Sequence, residues 1–375
     1  MLICVADDDL DLEDQVTLTD EELEDLTEAD PQARQVVYSG QDFDVEGLVR
    51  RLERGDIAVP RFGQEDSSSL ETAGFQRGFV WRKPQMDRFI ESLLLGFPIP
   101  GIFLVRQADQ RYLVLDGQQR LITLRRFYSG LHEKREFALK NVSKRFIGLT
   151  YKSLPDELRR TLDNSFIQAT IVDTDGSQSS LDSVYQIFER LNSGGTQLTP
   201  HEIRVALYAG NLVEELESLN KLPDWRQLYG PRSPRIRDQE LILRILAMYV
   251  RSDQYSRPLK TFLNDFASDY RNPSGPEIQD AAKLFTIAAE TLLEGPGPRA
   301  LRKSSRQVNS AQTEAIFVGL MRRLRSSEVG REELTRVLES LINDKQFNSA
   351  TSRSTADEEQ VSTRLRLATA AFEAS

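Results

Sequence analysis

The sequence predicts an α+β fold, with an α/β domain over residues 36–220 followed by an all-helical domain over residues 221–375. In the first part, segments with the alternating apolar pattern of strands stand between segments with the period of helices. Beyond Pro223 every patterned segment has the period of an amphipathic helix, and no strand pattern recurs. Residues 1–35 are acidic and are predicted to form a disordered tail. A chain of this length can bury two hydrophobic cores, so two folded domains are expected.

The elements of the first domain are predicted in order from periodicity and from helix-ending residues. Val45–Arg54 has the pattern of a helix ended by Gly55, and Pro84 stands at the first turn of a second helix that Gly96 ends. Thr199 and the proline after it begin a helix with a capping box. The other predicted elements are strands at Ile57–Pro60, Ile102–Val105, Tyr112–Leu115 and Phe166–Val172, and helices at Pro155–Leu162 and Leu181–Leu191.

The second domain is predicted from amphipathic patterns alone. Its helices are expected at Arg237–Val250, Leu259–Tyr270, Glu277–Leu293, Asn309–Arg325, Arg331–Ile342 and Glu358–Ala371. No internal repeat and no known motif stands out in this part of the sequence.

The negative charge of the chain is concentrated near its N-terminus. Residues 7–30 contain thirteen acidic residues and no Lys or Arg, and removing these thirteen charges from the net charge of −10 leaves +3 for the remainder. The overall acidity therefore does not exclude a body that faces nucleic acid. The acidic segment is interpreted either as a solvated tail or as an intramolecular mask over a basic surface.

Composition excludes several functional classes. No apolar run approaches the roughly 20 residues that span a bilayer, and Met1–Ala6 is too short for a signal peptide. The single cysteine, Cys4, excludes an internal disulfide framework and is expected in a reducing cytoplasm. His132 and His201 are the only histidines, too few for a histidine-metal nuclease, so the isolated chain is expected not to cut DNA. No Gly-x-x-x-x-Gly-Lys-Ser/Thr phosphate loop occurs.

The most informative segment is Arg111–Arg125, where a strand pattern changes into a helix pattern. Leu113 and Leu115 alternate with other good strand formers, and Leu121 begins an apolar helix face. The residues at this strand-to-helix junction are Asp116, Gly117, Gln118, Gln119 and Arg120.

A junction of this composition supplies the parts of a phosphate site. The free N–H groups and the positive dipole end of a helix favour anions. Gly117 allows the backbone to approach a ligand closely, and Arg120 presents a planar fork of donors that suits phosphate. Asp116 supplies a carboxylate for a metal, a ribose hydroxyl or a water. The alternative is that Asp116 only caps the helix and Arg120 is solvated, and the spacing alone favours neither interpretation.

The segment Asp116–Arg120, with the sequence DGQQR, resembles the signature of the GmrSD-type restriction-protein N-terminal domain. Two further parts of the chain resemble that family in the expected order, namely Phe75–Trp81 with Phe89–Pro100, and Ile187–Glu202. The resemblance covers roughly residues 40–215. It implies a fold similar to the ParB/sulfiredoxin-like nucleotide-binding fold.

The resemblance also implies a role for individual residues. Asp116, Gln118 and Arg120 are implied to act as catalytic residues at a nucleoside triphosphate, with Asp116 as a ligand of Mg²⁺. One carboxylate together with phosphate oxygens suffices for that ion. The implied nucleotide-binding residues are Gln76, Arg77, Gly117, Gln119 and Asn192.

Contacts with DNA, or with a modified base, are predicted at two further places. Phe79 and Trp81 follow the Gln-Arg pair, where aromatic rings either stack on bases or, more commonly, belong to the core. Arg125 and Arg126 begin a basic stretch that has three possible interpretations. It contacts a DNA backbone, it is ordinary solvated surface, or it binds the acidic segment. The stretch comprises Arg125, Arg126, Lys134, Arg135, Lys140, Lys144 and Arg145.

These observations leave three functional hypotheses. The first is a nucleotide-hydrolysing sensor subunit of a modification-dependent restriction or anti-phage system. The second is a non-catalytic ParB-like module that holds DNA or nucleotide and recruits a nuclease. The third is a structural adaptor whose helical domain does the work. The expected partners are a nucleoside triphosphate, DNA, a separately encoded nuclease or other defence subunit, and a second copy of the chain, with no membrane.

Overall fold

The structure is a computed structural model, and it describes residues 36–59, 81–132, 135–191, 198–302 and 308–374. Within these ranges the chain is α+β, with a five-stranded mixed sheet, a short two-stranded hairpin and fifteen α-helices. The predicted fold class is confirmed at this level. The N-terminal tail that the sequence predicts over residues 1–35 lies outside the described residues.

The strands of the main sheet are Tyr38–Asp44 (β1), Ile57–Ala58 (β2), Ile102–Arg106 (β3), Tyr112–Asp116 (β4) and Phe166–Asp173 (β7), and their order across the sheet is β1-β7-β3-β4-β2. Its two outer pairs differ: β1 runs antiparallel to β7, whereas β2 runs parallel to β4. In the centre β3 is parallel to β7 and antiparallel to β4. The separate hairpin consists of Leu131–His132 (β5) and Arg135–Glu136 (β6).

Five helices accompany this sheet. They span Val45–Arg54 (α1), Lys83–Leu94 (α2), Gln118–Ser129 (α3), Asp156–Asp163 (α4) and Gln178–Leu191 (α5). The first begins where Asp44 accepts a hydrogen bond from the N–H of Gly47 at 2.6 Å, and it ends at Gly55 in the left-handed conformation, as the sequence predicts.

The core of this unit forms where the apolar helix faces meet the sheet. Ile102, Leu104 and Val114 from the central strands are fully buried, and so are Ile167 and Ile171 from β7. The helix α2 contributes the apolar stripe that the sequence predicts, and all of its members are buried: Met86, Phe89, Ile90, Leu93 and Leu94. Burying one such side chain stabilises the fold by about 1.5–3 kcal/mol.

The described residues after Leu198 contain helices and no strand. These helices form a second compact unit, which begins at Thr199. They span Pro200–Leu207 (α6), Asn211–Asn220 (α7), Pro223–Tyr229 (α8), Arg237–Arg251 (α9), Leu259–Asp269 (α10), Glu277–Glu294 (α11), Ser310–Leu324 (α12), Arg331–Asn343 (α13), Lys345–Ala350 (α14) and Glu358–Glu373 (α15).

The helical unit buries several charged side chains in ion pairs. In its centre Glu314 of α12 accepts hydrogen bonds from Arg244 of α9 at 3.1 Å and from Arg364 of α15 at 2.7 Å. Glu314 and Arg364 are fully buried. A buried carboxylate is tolerated only when such donors replace its water. The cluster therefore fixes the mutual arrangement of these three helices.

The structure differs from the sequence-based expectations at several places, and the β5–β6 hairpin and the helices α7, α8 and α14 were also not predicted. The strand β1 was not predicted, and β2 ends at Ala58 rather than at Pro60. The chain divides into its two compact units between Leu198 and Thr199, whereas the sequence places the domain boundary after residue 220. The reason lies in α6 and α7, which pack against the later helices; for example, Arg204 donates a hydrogen bond to Asn264 of α10 at 2.9 Å.

Candidate functional site

The candidate site lies where β4 gives way to α3. The strand ends at Asp116, and Gly117 occupies the position before the helix with a φ of +95°, in the left-handed region. The helix then runs from Gln118 to Ser129. The structure therefore confirms the predicted strand–glycine–helix junction and brings all five residues of the DGQQR motif together.

The close packing around Gly117 explains why a glycine stands there. A Cβ atom at this position would lie 2.4 Å from Cγ2 of Ile102 on β3 and 3.3 Å from Nη2 of Arg120. Together with the positive φ, this contact leaves no room for a side chain. The backbone of the junction therefore lies close to β3, and α3 begins at the next residue.

Asp116 and Arg120 form an ion pair across this first turn. Nη2 of Arg120 donates to Oδ2 of Asp116 at 2.8 Å. The aspartate side chain is 52% exposed, whereas that of the arginine is only 13% exposed. Among the described residues Nε of Arg120 has no hydrogen-bond partner although it is buried. One N–H group of the guanidinium therefore donates to the Asp116 carboxylate, while the N–H at Nε remains available to a ligand.

The start of α3 adds main-chain donors to this arrangement. The first bond of the helix runs from the N–H of Leu121 to the carbonyl of Gly117 at 3.0 Å. The N–H groups of Gln118, Gln119 and Arg120 lie in the first turn of the helix, where N–H groups have no carbonyl partner within the helix. Together with the helix dipole they favour an anion at this end.

Gln119 connects the junction to the segment that precedes α2. Its Oε1 accepts a hydrogen bond from the main-chain N–H of Trp81 at 3.2 Å. The Trp81 ring is half-buried and packs edge-on against Phe89, with 5.5 Å between the ring centroids. Of the two roles the sequence left open for Trp81, the core contact is the one that the structure contains.

Arg125 and Arg126 lie further along α3 and are both half-buried. Burial lowers the pKa of Arg125, and the nearby carboxylate of Glu53 acts in the opposite direction. Nη1 of Arg126 lies 3.2 Å from Nδ1 of His132. Their predicted contact with DNA stays a prediction, but neither side chain extends freely from the surface.

Four predicted site residues lie outside the described residues, namely Gln76, Arg77, Phe79 and Asn192. Their roles remain those that the family resemblance implies. Two features of the site were not visible in the sequence. The first is the contact of Ile102 with Gly117, and the second is the Trp81 main-chain donor. The glycine itself was the available signal for the first, whereas a main-chain contact over 38 positions leaves no signal in side-chain types.

The residues present fit a Mg²⁺ ion only in part. Asp116 offers one half-exposed carboxylate, whose Oδ1 takes part in no hydrogen bond with the described residues. No group of three or more potential ligand residues occurs in the part of the chain that the structure describes. Mg²⁺ commonly binds through one or two carboxylates plus phosphate oxygens and water. The site therefore fits a metal that arrives with a phosphate ligand, and Asp116 is the residue that would hold it.

The fold and the junction define the class of the domain: an α+β domain with a strand–glycine–helix turn at the end of a central strand. Comparison with known families narrows this class. Residues 61–209 match the family model of the GmrSD restriction endonuclease N-terminal domain. No curated protein and no solved structure matches the chain. In the described part of the chain, no helix is both long and apolar enough to cross a membrane.

Proposed function

We propose that the domain binds a nucleoside triphosphate at the β4–α3 junction and hydrolyses it, as the sensor subunit of a modification-dependent restriction or anti-phage system. The family supplies the link to restriction. The observation that carries the proposal is the Asp116–Arg120 pair, held at 2.8 Å over an uncapped helix start. Within one helical turn, Arg120 supplies a cation that can bind phosphate and Asp116 supplies a carboxylate that can bind a metal ion or a water.

The roles of the side chains follow from their positions. The phosphate chain would lie over the N–H groups that begin α3, where the dipole and the half-buried guanidinium of Arg120 neutralise its charge. Asp116 would leave Arg120 and turn towards Mg²⁺ or the attacking water, which its half-exposed position permits. Bound Mg²⁺ would neutralise charge on the phosphate oxygens. Gln118, also at the start of the helix, would orient water or phosphate.

A second candidate function is supported by the same ion pair. Because Asp116 already bonds to Arg120 and the described residues hold no cluster of metal ligands, the site would also suit a nucleotide- or DNA-binding module without catalysis. Such a module would recruit a separately encoded nuclease. Hydrolysis separates the two candidates, because only the first releases phosphate.

The experiment is to measure phosphate release by the purified full-length chain with each of the four nucleoside triphosphates and Mg²⁺, with and without DNA. Nucleotide binding is measured in parallel by equilibrium dialysis. Turnover that disappears in Asp116→Ala supports the first function. Binding without turnover supports the second, and the absence of both binding and turnover would overturn the nucleotide site.

A further inference from the structure

A loop of the first unit, residues 137–155, carries an unbalanced positive charge; we refer to it as the basic loop. It contains four basic residues and no acidic one. These residues are Lys140, Lys144, Arg145 and Lys152, and all four are exposed. None of them lies within ion-pair distance of a carboxylate among the described residues. Exposed cations without carboxylate partners remain available to an anionic partner.

The buried carboxylate of Asp87 on α2 holds the first part of the basic loop in place. Its Oδ2 accepts hydrogen bonds from the main-chain N–H of Lys140 at 3.2 Å and of Asn141 at 3.0 Å. The Asn141 side chain adds a third bond at 2.8 Å. Asp87 is fully buried and also pairs with Lys83, so these contacts form in a region without competing water. The loop start is thereby anchored to a helix of the core.

The tip of the basic loop is anchored as well. Leu139 donates to the carbonyl of Leu149 at 2.9 Å, and Gly148 donates back to the carbonyl of Leu139 at 2.7 Å. Phe146 is buried beneath the tip, while the next residue, Ile147, is 54% exposed. The loop therefore presents Lys144, Arg145 and an outward apolar side chain on a backbone that needs little further ordering.

The carboxylate of Glu91 contacts the basic loop and must be weighed against the loop cations. Glu91 accepts the N–H of Ser143 at 2.8 Å. Hydrogen bonding from the side chain and then the main chain of Ser143, helped by the charges of Arg145 and Arg88, lowers the pKa of Glu91. Glu91 is therefore ionised at neutral pH. The single charge of Glu91 does not balance the four loop cations. The acids Glu136, Asp156 and Glu157 flank the loop in the sequence, and none of them lies within ion-pair distance of a loop cation.

We propose that the basic loop is a surface through which the domain contacts the phosphate backbone of duplex DNA. This rests on the proposed function only in that a restriction-family domain supplies DNA as the partner. Each phosphate contact releases condensed counterions, which favours binding without reading sequence. Because the loop is already anchored, binding DNA costs little conformational entropy. Ile147, between Arg145 and Gly148, adds an apolar contact with sugar or base edges in a groove.

The proposal places the DNA contact on a different surface from Arg125 and Arg126. Those two side chains are half-buried and have partners in Glu53 and His132. The basic loop, in contrast, has cations that are exposed and lie beyond ion-pair distance of any carboxylate within the described residues, although Arg145 also lies over the ring of Phe146. A solvated surface without a partner, or a surface for an anionic membrane, are the competing interpretations.

The test compares two double variants of the full-length protein that remove the same charge. Lys144→Gln/Arg145→Gln changes the loop tip, whereas Arg50→Gln/Arg54→Gln removes two exposed cations from α1. Binding to a fluorescein-labelled duplex is followed by anisotropy between low and moderate salt. The loop variant should weaken binding at low salt, and its slope of log affinity against log salt should fall by about 1.8, or 0.9 for each lost phosphate contact.

The α1 variant should leave the affinity and the slope close to those of the unchanged protein. Equal losses in both variants, or no loss in the loop variant, would overturn the proposal. Binding of the loop to anionic vesicles with no effect on DNA would also overturn it. Nucleotide binding, measured on the same samples, separates the two proposals: a loop variant with weak DNA binding and normal nucleotide binding supports the loop assignment whether or not the junction hydrolyses nucleotide.

Discussion

Arg120 donates a hydrogen bond to Asp116 at 2.8 Å, one helical turn away and across the glycine that separates strand from helix. With Asp116 half-exposed, such a pair stabilises the fold by only about 0.3–0.5 kcal/mol. The pair therefore contributes little to the stability of the fold, and its position suits it to act on a ligand. Loss of either partner is expected to affect ligand chemistry much more than folding.

The first prediction concerns these two residues. Asp116→Ala and Arg120→Ala should each abolish nucleotide turnover, because the first removes the carboxylate for metal or water and the second removes the phosphate cation. The free energy of unfolding, measured by urea titration, should fall by no more than about 0.5 kcal/mol in either variant. Phosphate release and urea titration on the same preparations measure both effects.

A matched control exists in the same hairpin. Asp109 and Arg111 form another exposed ion pair, with 2.6 Å between Arg111 Nη2 and Asp109 Oδ2, just before β4. Asp109→Ala should leave turnover unchanged. If Asp116→Ala retained full hydrolysis, the assignment of the catalytic site would be wrong.

The second prediction concerns Gly117. Gly117→Ala should lower the free energy of unfolding by about 1–3 kcal/mol through its left-handed conformation, with a further loss from the contact with Ile102. Gly130→Ala is the control, since Gly130 has a φ of +75° but nothing within 4 Å of a Cβ. Urea unfolding of both variants isolates the contribution of the contact. Equal destabilisation would show that the approach to Ile102 has no energetic consequence.

The sequence predicted the junction well because its signals are local. Alternating Leu113 and Leu115, a glycine and an apolar helix face lie within one short segment, and the structure contains them as predicted. The strand β1 escaped prediction because its sequence is mostly polar and only Phe43 is buried. Its place in the sheet depends on pairing with β7, far along the chain.

The same distinction between local and distant signals applies to the candidate sites. A charged residue on a predicted helix is expected to face solvent, yet Asp87 is fully buried. Its partners are main-chain N–H groups more than 50 residues away, and no pattern of side chains in the sequence predicts such contacts. The charge of the basic loop was visible in the sequence. Its anchoring and the exposure of Ile147 needed the structure.

The third prediction concerns His201, which is buried in the helical unit. Its Nδ1 lies 3.2 Å from Nη1 of Arg204, and its Nε2 lies 3.2 Å from Oε1 of Gln239. Burial and the positive charge of Arg204 lower the pKa of His201 well below 6.5, although Gln239 opposes this and Glu240 pairs with Arg204. The folded protein therefore keeps His201 neutral.

This depressed pKa gives the stability of the chain a defined pH dependence. Below pH 6.5 the unfolded chain binds a proton at this histidine that the folded chain does not, so stability falls as the pH falls. Above pH 6.5 this residue contributes no slope. Each pH unit below 6.5 should cost up to about 1.4 kcal/mol.

Urea unfolding of the full chain between pH 5.5 and 7.5 measures this slope. His201→Gln should lose it, whereas the change of the other histidine, His132→Gln, should retain it. An unchanged slope in His201→Gln would assign the pH dependence to other groups.

The last prediction joins the acidic segment to the basic loop. Residues 7–30 carry thirteen negative charges, and the remainder of the chain carries about three positive charges in excess. A segment on the same chain has a high effective concentration at any basic surface, so it should compete with DNA phosphates. Deleting residues 1–30 should tighten DNA binding at low salt, and the gain should shrink as salt rises, because screening weakens the competition.

The loop variant Lys144→Gln/Arg145→Gln tests where the acidic segment acts. If the segment covers the basic loop, the deletion should improve DNA binding much less in the loop variant than in the unchanged chain, because the two changes then share one interaction. Anisotropy titrations of the four proteins at low salt complete this cycle. Equal gains in both backgrounds would place the competition on another surface. Equal affinity of the truncated and full-length proteins would leave the acidic segment as a solubilising tail or as an arm for a partner.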